Sequence, residues 1–441
     1  MIQLYDSFHQ ASKDLYYSLT QAGFQGPVVV INDDGFLPEG VTSAYSYYCQ
    51  METGQGRSLY FNQLQVPPFW EITGTNGEGE VWDYSQRKAK IFYAEPKHLR
   101  RIKNVDWFGP NEKVRFTDHY NRFGWLFART YFNAEQKVTS RIYFNQAKQE
   151  VLVENFMTGD IQLNWQGKVY FFDNRVELFR HYFAEMGWEL SEIWYNSLST
   201  PFFLSYNSPE AGQDILFWQE GIQEDIPGNM KVMLNSSHVR TQRVLVQQRQ
   251  VYQKMMDILP EEQKAKIAYL GYIYPSLREN AGRKEILILT NSDQIEKLEE
   301  LTQALPDFHF HIGALTEMSQ RLMAFEAKSN ITLYPNISQK QLQRLFQECD
   351  IYLDINHSGE VMDAVRKAFE QNMVILAFEQ TIHNRDLIPA AHRFDASQPT
   401  DMVMALAGFA ASYPQMVALQ REETSNESVT GYQQLLGKEE R

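Results

Sequence analysis

Cysteine is scarce in this chain. Only Cys49 and Cys349 occur among 441 residues, each beside apolar or aromatic neighbours that suggest burial. Two such residues build no disulfide framework, and the reducing cytoplasm is the natural compartment. Positive charge is also in deficit, with 41 Lys and Arg against 55 Asp and Glu and a formal net charge of -14. That field repels phosphate backbones and argues against nucleic-acid binding as a main role. No apolar run approaches the roughly 18 residues needed to span a bilayer. The opening residues, Met-Ile-Gln-Leu-Tyr-Asp-Ser-Phe-His-Gln, lack a basic stretch followed by an apolar core, so no secretory signal is expected there. The chain also lacks Gly-x-Ser-x-Gly, His-Glu-x-x-His, Cys-x-x-Cys and a P-loop. His309 and His311 alternate along a strand and read as structural, so neither a metal nor a cofactor is expected.

What the chain does contain is ample core material. At 43% hydrophobic and 14% aromatic residues, it should fold into two to three packed domains. Residues 1–57 read as α/β: a strand at Ile2 to Leu4, a helix from a cap at Asp6 or Ser7 to a stop at Gly23, and a buried strand Val28 to Ile31. The loop Asn32-Asp33-Asp34-Gly35-Phe36-Leu37-Pro38-Glu39-Gly40 follows that strand at its carboxyl end, where ligands bind in such folds. A tyrosine-rich helix with Tyr45, Tyr47 and Tyr48 comes next. The loop reads either as a turn whose Asp and Gly residues satisfy the backbone or as a lip that holds a ligand. Two carboxylates alone do not make a cation site.

From 58 to 173 the pattern changes to short β-type runs separated by turn signals: Leu59 to Leu64, Trp70 to Thr73, Val81 to Tyr84, Lys90 to Tyr93, Trp125 to Phe132, Arg141 to Phe144, Val151 to Phe156, Ile161 to Trp165 and Val169 to Phe172. This is an antiparallel insert in the first α/β half. It is crowded with aromatics, and Trp82, Trp107, Phe108, Phe123 and Trp125 are candidates for docking another protein. The same residues also suit a sandwich core or a carbohydrate-stacking platform.

The α/β pattern resumes over 174–280. It has a helix Arg175 to Glu185, strand-like runs at Ile193 to Tyr195, Phe202 to Tyr206, Ile215 to Trp218 and Met230 to Leu234, a long helix Thr241 to Leu259, and a strand at Ile267 to Ile273. The breaker-rich segment Pro275 to Gly282 reads as the hinge. A second α/β half over 281–424 opens with Glu285 to Thr290. Asn291-Ser292-Asp293 then caps a helix from Gln294 to Leu305. A terminal helix lies within 425–441.

The stretch from Cys349 to Glu379 organises this second half. Ile351 to Ile355 and Met373 to Phe378 are buried-strand runs, and Val361, Val365, Ala368 and Phe369 have helical spacing between them. The loop Asn356 to Glu360 is therefore where a nucleotide phosphate would sit. Asp350 to Leu353 and Val374 to Phe378 resemble the donor signature of retaining glycosyltransferases of the GT-B fold. In that family two glutamates handle the donor; here Gly359 and Lys367 fall at those positions, with Glu360 one residue from the first. A lysine ammonium donates three hydrogen bonds and accepts none, so Lys367 cannot receive ribose hydroxyl protons. His357 lies in the same degenerate loop. Active relatives also clamp the donor diphosphate with an arginine and a lysine after the first strand, where this chain has Asn291, Ser292 and Asp293.

Across nearly its whole length the chain resembles the GtfB-type accessory subunits, or glycosylation chaperones, of the O-GlcNAc transferase that modifies serine-rich repeat adhesins exported by the accessory Sec route. The pieces that carry the resemblance are Val28 to Tyr48, Ile286 to Asp293 and Ile351 to Phe378. It implies a GT-B fold, no donor chemistry of its own and docking of a GtfA-type catalytic partner through the β-rich insert. It also implies a Ser/Thr-rich adhesin acceptor, and the candidates for its contact are Asn32, Asp33, Asp34, Phe36, Tyr45, Tyr47 and Tyr48. The implied workplace is the cytoplasm or the inner face of the membrane. The rival readings are an active retaining GT-B enzyme with an atypical donor site and a pure interaction protein that stabilises its partner without touching acceptor.

Overall fold

The computed structural model describes residues 1–236 and 238–437. The last four residues of the expected terminal segment, 438–441, lie outside them. The chain divides into two compact units, Met1–Leu270 and Gly271–Arg441.

The first unit is built on an all-parallel seven-stranded sheet. In spatial order its strands are Ile267–Tyr269, Thr241–Val246, Asp214–Trp218, Ile193–Tyr195, Ile2–Ser7, Val28–Asn32 and Val41–Thr42. Val28 to Ile31 are all buried, as β-branched runs covered on both faces should be. The strand order reverses between Ile2–Ser7 and Ile193–Tyr195, which makes the carboxyl ends of those strands the natural binding edge.

Between Glu71 and Phe172 the chain forms a ten-stranded antiparallel sheet in which every strand pairs with its neighbours in sequence. One end shares a core with the parallel half: Tyr45 and Phe179 on helices Ala44–Tyr48 and Arg175–Glu185 cluster with Tyr143, Leu152 and Leu163 of the meander. The far end has a core of its own around Val81, Ile91 and Val105, covered by Leu59, Phe61 and Trp70.

The second unit is a six-stranded parallel sheet ordered Ile331–Tyr334, His309–Ala314, Glu285–Thr290, Ile351–Asp354, Val374–Phe378 and Arg393–Phe394. Its two faces read directly from strand alternation. Ile286 and Ile288 pack into one core cluster, Leu287 and Leu289 into the other. Two doubly wound halves with an antiparallel insert are the GT-B pattern expected from the sequence.

Several local expectations are corrected. Phe202 to Tyr206 and Met230 to Leu234 are helical, as Thr200–Tyr206 and Gly228–Asn235. Pro201 in the first turn starts the former helix, and burial of Phe202 and Leu204 overrides strand propensity. The long helix expected from Thr241 is a strand, Thr241–Val246, followed by a helix Arg249–Ile258. Leu59 to Leu64 holds a single 3-10 turn, Phe61–Gln63, and the meander has two further strands, Ile102–Phe108 and Val114–Tyr120, beyond the expected runs.

The segment Pro275 to Gly282 is no loose connection. Arg278 and Arg283 reach the buried Asp350 carboxylate at 2.6 and 2.8 Å, and Asn280 donates to the Asp350 and Asn372 carbonyls at 3.0 and 2.8 Å. The division between the units falls before it, at Leu270 and Gly271.

Candidate functional site

At the binding edge of the first unit, polar side chains join into one strip. Asp6, near the end of the central strand, accepts from Asn32 Nδ2 at 3.1 Å and from the exposed Ser199 hydroxyl. Asn32 Oδ1 accepts from Arg175 Nη1 at 2.9 Å, and Arg175 grips Glu154 through two nitrogens at 2.5 and 3.1 Å. Glu154 lies opposite Arg141 in the meander ladder. Arg141 Nε donates to Thr130 Oγ1 at 2.7 Å, Thr130 meets His119 Nε2 at 2.8 Å, and His119 Nδ1 meets Asn104 Oδ1 at 2.9 Å. The strip thus runs from the parallel sheet onto the meander. Phe156 stands over it between the guanidinium groups of Arg141 and Arg175, each 5.8 Å from its ring centre. On the other side of the switch point, the buried Asn196, Gln219 and Gln247 bond to one another and close off the strand ends.

The loop after Asn32 is shaped by its own side chains. Asp33 Oδ1 accepts from Gly35 N at 2.8 Å, and its other oxygen accepts from the hydroxyls of Ser43, at 2.7 Å, and Ser46. Burial pushes the Asp33 carboxyl above its ordinary range, against the pull of these three hydrogen bonds. Gly35 has φ +81°, and a Cβ there would stand 2.6 Å from Phe127, so no other residue fits. Asp34 pairs with Lys103 at 2.7 Å, and Phe36 lies half-buried with Arg101 6.0 Å from its ring centre.

The corresponding edge of the second unit is closed upon itself. The helix expected from Gln294 begins at Leu298, because the preceding backbone pairs across the switch point instead. Glu296 N donates to Ile355 O at 2.8 Å and His357 N to Gln294 O at 3.0 Å. Thr290 Oγ1 reaches the buried Asn356 Oδ1 at 3.1 Å, Asn291 Nδ2 donates to Gly359 O at 3.2 Å, and Ser292 Oγ accepts from Gln294 N at 3.1 Å. His357 Nε2 meets Glu296 at 2.5 Å. His383 then clamps the loop, with Nδ1 on Asp354 and Nε2 on the Ser358 carbonyl, both at 2.5 Å. Both partners are acceptors, so the ring is a doubly donating imidazolium; the Asp354 hydrogen bond leads in pushing it up to about 9, against the effect of burial.

The start of the following helix, Ala364–Glu370, is no freer. Glu360 Oε1 accepts from Val365 N at 2.9 Å, which consumes an amide that a phosphate would need, and Asp363 stands exposed beside it. Burial raises the Glu360 carboxyl and lowers the Lys367 ammonium from their ordinary values.

Family models describing GtfB match in sequence: the N-terminal domain over 2–48, the middle domain over 70–173 and the third domain over 175–258. A GftB/GlyA-F C-terminal domain model matches 286–421. The UDP-N-acetylglucosamine–peptide N-acetylglucosaminyltransferase stabilizing protein GtfB of Streptococcus agalactiae is 54% identical over 437 residues, covering 99% of each chain. The chain belongs to the GtfB family. The GtfB protein of the same description from Streptococcus parasanguinis is 48% identical over 436 residues, again 99% of both. A chain from a crystal structure of a GtfA/B complex bound to UDP and GlcNAc superposes with a TM-score of 0.94 at 41% identity, covering 99% of both chains.

In this GtfB-family chain the expected acceptor contacts separate. Asn32 lies in the strip, Asp34 and Phe36 flank it, and Asp33 is consumed by the turn. Tyr45 and Tyr48, at 1% and 0% exposure, are core residues and are withdrawn as contacts. Tyr45 stacks on Tyr143 at 4.4 Å, while Tyr47 and Tyr48 donate to Glu185 at 3.3 and 3.1 Å. Trp165 Nε1 donates to the same carboxylate at 2.7 Å, so the tyrosines fasten the meander to the parallel half.

The five docking candidates are all half-buried. Trp107 bonds Asp118 at 3.0 Å, Arg87 covers Phe108, and Phe123 packs over Gly54 and Gly56. More open are Phe69 and Tyr84, at 95% and 92% exposure, both in turns with positive φ. Their signal was their place in tight turns, which a count of aromatics overlooks. Arg175, Glu154, His119, Thr130 and Asn104 were also missed, since polar residues in strands carry no motif.

Among the described residues no group of His, Cys, Asp and Glu is arranged to hold a metal ion. No single helix there is long and apolar enough to cross a membrane.

Proposed function

We propose that this chain is the non-catalytic stabilising subunit of a protein O-GlcNAc transferase. On this reading it holds a Ser/Thr-rich adhesin polypeptide on the polar strip of its first unit, while a GtfA-type partner binds UDP-GlcNAc and transfers the sugar to Ser or Thr. The stabilising role is the one its close GtfB relatives are named for. One observation carries the division of labour: the second unit's strand ends bond to each other and to His383, and Glu360 takes the Val365 amide at the helix start, so the position of a donor diphosphate is filled by the chain's own groups.

Hydroxyl-rich, unfolded polypeptide suits the first unit's strip, which alternates donors and acceptors from Asp6 to Asn104. A disordered acceptor held there raises the local concentration of hydroxyls at the partner's active site, on the order of mM for a short tether. The meander, with Trp82, Trp107, Phe108, Phe123 and Trp125 in its surface layer and Phe69 and Tyr84 at its turns, is the surface offered to the partner. Both cysteines are free and buried, which suits work in the cytoplasm, including its membrane face.

The test is co-expression of a GtfA-type partner and a serine-rich acceptor with and without this chain. Transfer and the yield of folded partner should both fall when the chain is omitted. Unaltered transfer and yield, or transfer by this chain alone, would refute the assignment.

A further inference from the structure

The strip contains a relay whose direction is fixed at one end. Arg141 is permanently protonated and can only donate, so its Nε–H, 2.7 Å away, occupies an acceptor position on Thr130 Oγ1. Thr130 has one hydroxyl proton, and the group 2.8 Å from its oxygen on the other side is His119 Nε2. A neutral imidazole donates from one nitrogen only; Nδ1 faces the Asn104 amide oxygen and carries the proton, so Nε2 accepts from the Thr130 hydroxyl. Nδ1–H then donates to an oxygen of Asn104 at 2.9 Å. Burial, with the charges of Arg141 and Lys103, keeps the ring neutral by pulling its pKa down to about 3.

Asn104 is thereby locked with Oδ1 turned inward and its NH2 turned outward. Among the described residues that amide has no hydrogen-bond partner, and it stands on a half-buried side chain, so it is open to a ligand. It sits on the strand Ile102–Phe108, next to Lys103, which ties down the Asp34 loop.

We propose that Asn104 is an acceptor-binding donor of the strip, taking a main-chain carbonyl of the extended acceptor, and that Arg141, Thr130 and His119 are the positioning residues that hold its amide outward. A carbonyl suits the position because it is an acceptor-only group that meets a donor-only one and recurs along an extended chain. The inference rests on the reading of the strip as the acceptor site, and its test separates the two.

The full chain is titrated with a fluorescein-labelled serine-rich peptide, and the His119 tautomer is read from its ring 15N shifts. Asn104→Asp keeps the side-chain shape and the acceptor for His119 but removes the outward donor, and should weaken binding about tenfold. Thr130→Val cuts the relay and should weaken it about threefold while shifting His119 away from a pure Nδ1–H tautomer. Asn32→Ala tests the strip itself. If Asn32→Ala weakens binding and Asn104→Asp does not, the inference falls and the acceptor reading stands. If neither variant weakens binding, both fall. An Nε2–H or doubly protonated His119 in the unsubstituted chain would overturn the relay.

Discussion

The two parallel sheets have the same kind of reversed strand order, yet their binding edges have opposite characters. In the first unit the central strand carries Asp6 next to its last residue and the neighbouring strand ends in Asn32, which bonds Arg175, itself gripped by Glu154 of the meander. In the second the central strand ends in Thr290, and its neighbour runs into Asn356, which bonds back to it. The difference lies in what stands beside each edge. The insert lends the first edge new partners for its polar groups, so these are satisfied while staying half-open. The second edge has only its own loops, and the backbone from 294 to 296 crosses to meet them. A fold that binds a nucleotide when helix amides are free becomes a closed surface once those amides and carbonyls pair with each other.

The sharpest way to break this comparison is to unpair the centre of the first edge. Glu154→Ala leaves Arg175 without its carboxylate in a nearly buried site, and the first unit should lose about 3–5 kcal/mol. All eight tryptophans of the chain precede residue 219, so denaturant unfolding followed by their fluorescence reads this unit alone. Next in size, Asn32→Ala should weaken binding of a serine-rich peptide about tenfold. The matched change at the other edge, Asn356→Ala, should leave peptide affinity unaltered and cost about 1–2 kcal/mol of second-unit stability.

Protonation gives a third contrast. His383 is raised to about 9 by Asp354, so its contribution is complete below the ordinary histidine pKa of about 6.5 and is lost as pH climbs through 9. Solvent screening reduces the full linkage of about 3 kcal/mol to about 1–2. His119, lowered to about 3, acts in the opposite direction: the first unit loses stability as pH falls from about 6.5 toward 3. Calorimetry should show the second unit weakening in mild alkali, while tryptophan-monitored melting shows the first weakening in acid. The smallest effect is expected from Lys367→Glu. It restores a carboxylate where glycosyltransferases have one, but Glu360 still occupies the helix start, so calorimetric titration should detect no gained UDP-GlcNAc binding.

The sequence was most legible where a single residue type decides the outcome. The buried runs at Val28 and Ile286 and the turn at Gly35 follow from side-chain branching and backbone freedom. Lys367, where the glycosyltransferase signature has a carboxylate, is the residue from which a degraded donor site is inferred, by chemistry alone. The closure of that site was less legible: it depends on backbone pairing between segments about sixty residues apart, and Asn291-Ser292-Asp293 looks like an ordinary helix cap. Tyr45 and Tyr48 misled because a tyrosine next to a candidate loop reads the same whether it faces solvent or is buried, Tyr45 on Tyr143 and Tyr48 against Glu185. The strip from Asp6 to Asn104 could not be read, since its members come from distant strands and only the ladder register brings them together.

The claim at the centre of this account is that the first edge holds polypeptide and the second holds nothing but itself. Calorimetric titration of the isolated full-length chain with a serine-rich peptide and, separately, with UDP-GlcNAc tests it most directly. The account predicts heat of binding for the peptide and none for UDP-GlcNAc. Saturable UDP-GlcNAc binding by the chain alone, abolished by substitution at Glu360 or Asn356, would contradict it.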